Sequence, residues 1–260
     1  MKPLFHQFAL PSMILASFFA PANAHAATCA TSAASLHGWY GMLVTGTTLD
    51  AGAKYLVGAI LFDGVSGVTG NNVYGGGGFD GAVTGTYAAN SDCTLTISMT
   101  IGSTAAQVYT VAVKTSNEAV GIEVDSSAVA TIDLQAQYAT YTPGLNFTAS
   151  SANGVFTGAC YGAAAVATDL NIATFSNGTV NGTDPSNDSG SFLAANNPYT
   201  GTYTVNSDGT FSGAVSVDGG TYDFFGVIAN GGAELEYFYT PVIPPNNLPG
   251  AAVEACVTKL

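Results

Sequence analysis

One phrase occurs twice in this 260-residue chain: TGTYAANSDCT spans 84 to 94 and TGTYTVNSDGT spans 200 to 210, every position displaced by 116. The match extends outward. Gly38-Trp39-Tyr40 falls at the same offset on Gly154-Val155-Phe156. Phe62-Asp63-Gly64 with Val68-Thr69-Gly70 resembles Phe175-Ser176-Asn177-Gly178 with Val180-Asn181-Gly182 after small length changes. A chain that repeats itself in this way is a tandem of two copies of one small fold, which fixes how its length is to be divided.

Within each copy, short apolar runs are broken by Gly, Asn, Asp and Ser. YLVGAILFD (55 to 63), CTLTISMTI (93 to 101), QVYTVAV (107 to 113), VGIEVD (120 to 125) and ATIDLQAQY (130 to 138) are rich in Thr, Val, Ile, Tyr and Phe. Several alternate with the period of two that turns one face inward. The second copy continues the rhythm in GVFTGACYG (154 to 162), TGTYTVN (200 to 206), TFSGAVSV (210 to 217), TYDFFGVIA (221 to 229) and AELEYFYT (233 to 240). Asn-Gly at 153, 177, 181 and 230 and Asp-Gly at 63, 80, 208 and 218 supply the positive φ of tight hairpins. The 32 glycines disfavour long helices.

The expected fold class is therefore all-β: two tandem antiparallel up-and-down barrels of roughly eight strands each, since closure removes exposed edges. Two β-sandwiches are the alternative; glycines within strands, such as Gly58, Gly85, Gly121, Gly213 and Gly226, favour the tighter curvature of barrels. The copies are expected over 36 to 140 and 153 to 258, within domains of 27 to 140 and 153 to 260. Residues 141 to 152 form the linker, 182 to 198 an elaborated loop, and Gly75 to Gly78 a hairpin tip.

The first residues have the form of a secretory signal peptide: Lys2, an apolar stretch from Phe8 to Ala20, then small residues that allow cleavage after Ala24 or Ala26. The apolar stretch is short for a membrane span and is bracketed by Pro11 and Pro21. The expected location is secreted, extracellular or periplasmic. Without the leader, three lysines (Lys54, Lys114, Lys259) and no arginine face 17 carboxylates, a net charge of −14. Such a surface repels phosphate backbones and anionic membranes, so no nucleic-acid partner is expected. The hydrophobic share of 47 % excludes a disordered chain.

Four cysteines in an exported chain imply two structural disulfides. If the second copy is a closed barrel, its first strand, with Cys160, and its last, with Cys256, are neighbours. A Cys160–Cys256 bridge would staple that seam and leave Cys29 to pair with Cys93. No CxxC pair or histidine spacing suggests a metal. No catalytic set is assigned: the GxSxG elbow is absent, the glycine run at 75 to 78 has neither lysine nor following helix, and Glu123 and Glu236 belong to separate copies. No cofactor is expected. Asn-X-Ser/Thr sites at Asn146, Asn177, Asn181 and Asn187 lie in linker and loop positions.

Aromatic side chains are the remaining candidates. Trp39, Tyr87, Tyr109, Tyr203 and Tyr222 lie on strands whose inward faces would line or fill a barrel, where rings and hydroxyls could hold a small apolar or amphipathic ligand. The same rings could equally fill a small core.

The pattern of GxY at an opening strand, F-D-G before a V-x-G strand, then G-T-Y-x-x-N-x-D resembles secreted bacterial β-barrels of lipocalin-like or allene-oxide-cyclase-like (calycin) type. Avidin-like barrels use similar G-x-W and G-T-Y phrases. The resemblance implies a calycin-like barrel and a hydrophobic ligand, with cofactor-free cyclase activity an analogy from fold alone. The expectation is thus a secreted, non-enzymatic ligand-binding protein, with a structural or surface-associated module of filled barrels as its rival.

Overall fold

The computed structural model describes residues 31–49, 52–75, 78–138, 146–162, 167–183, 186–188, 191–193, 198–217, 220–243 and 254–260. The expected leader, Cys29, Gly76 and Gly77 at the hairpin tip, Asp218-Gly219 and residues 141–145 of the expected linker lie outside them.

The first barrel runs β1 (His37–Thr48), β2 (Ala53–Asp63), β3 (Gly67–Gly75), β4 (Gly78–Ala89), β5 (Thr94–Ile101), β6 (Gln107–Thr115), β7 (Glu118–Glu123) and β8 (Ala128–Ala136). Each strand pairs antiparallel with the next, and β8 returns to β1. Strand β5 shows why: Leu95, Ile97, Met99 and Ile101 are buried while the alternating Thr and Ser face out. Each fully buried aliphatic contributes roughly 1.5–3 kcal/mol.

The second barrel runs β9 (Gly154–Gly162), β10 (Ala167–Ser176), β11 (Thr179–Thr183), β14 (Pro198–Val205), β15 (Thr210–Val217), β16 (Gly220–Ala229), β17 (Glu234–Ile243) and β18 (Glu254–Lys259). Strand β18 pairs with β9, closing this barrel too. The expected loop over 182 to 198 instead contains two short strands, β12 (Ser186–Asp188) and β13 (Ser191–Leu193), which form a hairpin against the first residues of β10. Asn177-Gly178, with φ of 47° and 92°, makes the tight turn its sequence promised. Asp80-Gly81 and Asn181-Gly182 instead lie within strands β4 and β11.

The repeat holds to the level of register. Tyr87 stands opposite Ile97, and Tyr203 opposite Gly213, both pairs displaced by 116. Asn90 N–H donates to the Thr94 carbonyl at 2.9 Å, and Asn206 N–H to the Thr210 carbonyl at 2.8 Å. Cys93 occupies the left-handed position of this turn (φ 71°) that Gly209 holds in the other copy (φ 86°). Each unit also begins earlier than the phrase match indicates. A 3-10 turn over Ala33–Ser35 recurs as Ala149–Ala152, and the N–H groups of Ser32 and Thr148 donate to Ser35 Oγ and Ser151 Oγ. Half of the expected linker is therefore part of the second unit, with Phe147 buried in its core.

Candidate functional site

In the first barrel Tyr40, Phe62 and Tyr87 meet edge to face, with centroids 5.4 and 5.0 Å apart. Phe156, Phe175 and Tyr203 repeat the trio at 5.7 and 5.2 Å. The Tyr87 hydroxyl donates to the Leu36 carbonyl at 3.0 Å, and that of Tyr203 to the Ala149 carbonyl at 2.9 Å. Each tyrosine thus plugs one barrel end and ties it to the 3-10 turn. Burial, then the nearby Asp63 charge, pushes the Tyr87 hydroxyl up to about 12.

Tyr109 faces inward near the opposite end of the first barrel, where its hydroxyl donates to Gln107 Oε1 at 2.6 Å. Lys54 Nζ sits 6.0 Å from its ring centroid and donates to both Glu123 oxygens, at 2.6 and 2.7 Å. Ser127 Oγ donates to Glu123 Oε1. The Glu123 side chain is fully buried, so this pair is an ionic closure of the barrel end. Burial, with the Glu123 and Asp125 charges, raises the pKa of Tyr109. Sequence reasoning weighed Glu123 with Glu236 as a possible carboxylate pair; the two sit in different environments.

Tyr222 lies beside Tyr239, edge to face at 6.0 Å. Trp39 departs from its expected place against a barrel cavity. It shares the outer face of β1 with Leu43 and packs into a cluster between the barrels, because Tyr40, Met42 and Val44 take the inward positions.

That cluster joins the two units. The outer faces of β1, β2 and β3 offer Leu43, Tyr55, Val57, Ala59 and Tyr74; barrel two meets them with Val227, Phe238 and Ala255, and with the partly buried Phe225 and Val257. Tyr74 stacks on Phe225 at 5.1 Å. A methyl group on Gly41 would lie 2.9 Å from Val227 Cγ1, so the absence of a side chain sets how closely the barrels approach. Polar groups fix the register: Asn72 Nδ2 donates to Asp208 Oδ2 at 2.6 Å, Gln137 Nε2 to the Asp208 carbonyl at 2.7 Å, and Asn206 Nδ2 to Tyr74 Oη at 3.0 Å. Sequence reasoning missed this interface. Its signal was the unbroken apolar character of Trp39–Val44 and Tyr55–Phe62, as in strands covered on both sides.

Beside the interface opens a groove of ≈ 790 Å³. Its floor is the outer face of β6, β7 and β8 (Thr110, Ala112, Val120, Ile122, Thr131, Asp133), and Tyr161, Ala255 and Val257 of the second barrel stand at its edge.

Cys160 and Cys256 face one another in the β9–β18 register and form a disulfide, so the seam staple is as expected. Cys93 is also disulfide-bonded, and its expected partner Cys29 lies outside the described residues. Among the described residues no His/Cys/Asp/Glu group could hold a metal, and no helix is long and apolar enough to cross a membrane.

The fold is thus a fused pair of closed antiparallel barrels. No family model, curated protein or solved structure matches the chain.

Proposed function

We propose that the protein is an exported, non-enzymatic structural module whose two barrels are rigid bodies that act through their outer faces. The observation that carries this reading is the packing of inward side chains into one buried cluster per barrel, with Tyr40–Phe62–Tyr87 and Phe156–Phe175–Tyr203 meeting edge to face at equivalent places. Export is supported by the leader-like start and by a disulfide, which persists in oxidising compartments. Native mass spectrometry of the protein from its own host tests the reading. The expected mass is that of the polypeptide; a retained apolar molecule, released by Tyr87→Ala or Tyr109→Ala, would restore the calycin-like ligand reading. In a filled barrel those substitutions lower stability by about 3–5 kcal/mol.

A second reading, binding of a small apolar or amphipathic ligand outside the barrels, is favoured by the groove of ≈ 790 Å³, which falls in the size range of ligand pockets and lies, as many do, between two units. Trp39, packed in the adjoining cluster, is the chain's one tryptophan. Its fluorescence should shift on titration with apolar candidates if this reading holds and stay constant if it does not.

A further inference from the structure

The two barrels dock through unlike faces. Barrel one uses the outside of β1, β2 and β3; barrel two uses the outside of β16, β17 and β18. Register identifies the counterparts. Leu43 opposite Val57 and Gly41 opposite Ala59 correspond to Ala159 opposite Leu170 and Thr157 opposite Ile172 on β9 and β10. In barrel one Val57 and Ala59 are 0 % exposed; in barrel two Leu170 and Ile172 are 52 % and 40 % exposed, with Val155 at 55 %. The other face follows the same logic. Glu236 and Phe238, covered in barrel two, correspond to Val120 and Ile122 of β7, and Ile122 is 57 % exposed on the floor of the groove.

Each barrel therefore leaves uncovered the face that its twin buries, and both uncovered faces are apolar. We propose that they meet between molecules: the β9–β10 face of one chain docks into the β6–β8 groove of a second copy, repeating between chains the contact made within one. The occupant is a second copy because the intrachain interface joins the counterparts of these two faces, and exposed apolar patches of this kind mark association sites. The carboxylate in the groove, Asp133, accepts from Gln135 Nε2 at 3.2 Å, a partner that it keeps when the face is covered. Unlike faces joined head to tail give rings or open filaments.

The inference deepens the structural reading and rests on it. Sedimentation equilibrium of the full exported chain, at about 0.15 M salt so that repulsion is screened beyond about 8 Å, tests it. The average mass should at least double between about 1 μM and about 1 mM, the range of a transient interface. Ile172→Asp and Ile122→Asp, both at exposed positions, should each hold the protein as a single chain with unchanged circular dichroism. Mixing the two variants should restore a dimer and nothing larger, because each supplies the face that the other lacks. A wild type that stays monomeric overturns the proposal, as does loss of association in only one variant, which would mean a like-to-like contact. A monomer that retains no small molecule removes self-association alone, whereas a retained apolar molecule removes the filled-barrel reading beneath it.

Discussion

Asp92 and Asp208 close the same turn in the two copies, but only Asp208 also reaches across to the other barrel. Asp92 Oδ1 accepts from Thr94 N–H and Oγ1 at 3.1 and 2.6 Å; Asp208 Oδ1 accepts from Thr210 N–H and Oγ1 at 3.0 and 2.7 Å. The second oxygen of Asp208 takes the Asn72 amide at 2.6 Å. The duplicated turn has been recruited into the interface on one side. Asp208→Ala should destabilise more than Asp92→Ala, by about 1.5–3 kcal/mol, because the charged hydrogen bond to Asn72 is lost as well. Urea unfolding of the two variants checks the difference; equal costs would mean that the cross-barrel bond contributes nothing.

Lys54 and Glu123 form a buried pair whose members are unequal when removed singly. Lys54→Met leaves the Glu123 carboxylate, with a fully buried side chain, without its ion partner and should destabilise by about 3–5 kcal/mol. The double variant Lys54→Met/Glu123→Leu should recover most of that loss, since two well-packed apolar side chains replace two desolvated charges. Thermal melts of wild type, single and double variants read out the cycle.

Glu236 belongs to the outer row of β17 with Glu234 and Phe238, and it is fully buried with neither carboxylate oxygen hydrogen-bonded. Burial pushes its pKa well above the ordinary value; Asp133 of β8 and Glu234 add to the rise, and Lys259 of β18 opposes it. An acid whose folded pKa exceeds its unfolded value of about 4.3 stabilises most below that value and loses the contribution as pH climbs toward the folded pKa. Glu236→Leu should therefore raise stability at pH 7 by about 1–3 kcal/mol, with the gain shrinking toward pH 4. Denaturant midpoints of variant and wild type at both pH values decide it, and a gain that grows on acidification would refute the assignment.

The Cys160–Cys256 bridge links β9 and β18 across the seam of the second barrel, whereas β1 and β8, which close the first, contain no cysteine. It spans 96 residues. Replacing both cysteines by alanine should cost about 2–5 kcal/mol. Hydrogen exchange should accelerate along β9 and β18 and remain slow along β1 and β8.

Local physics made much of this legible in the amino-acid order. Period-two alternation in β5, the hairpin chemistry of Asn177-Gly178 and the offset of 116 sufficed for strands, turns and duplication, because each depends on near neighbours or on self-similarity. The Cys160–Cys256 seam followed once closure was assumed, since closure makes first and last strands adjacent. The unbroken apolar runs of β1 and β2 marked strands covered on both sides, but tertiary structure decided which outer faces meet. Alternation says that Trp39 and Tyr40 point opposite ways but not which side meets a second barrel, and the answer placed Trp39 between the units. It also sent Asp208 across the interface while its twin Asp92 stayed in solvent, and buried Glu236 where its counterpart Val120 lines an open groove. Identical local sequence carries no information about what lies against its outside. That is fixed by the docking of one barrel on the other, a contact between residues as distant in the chain as Gly41 and Val227.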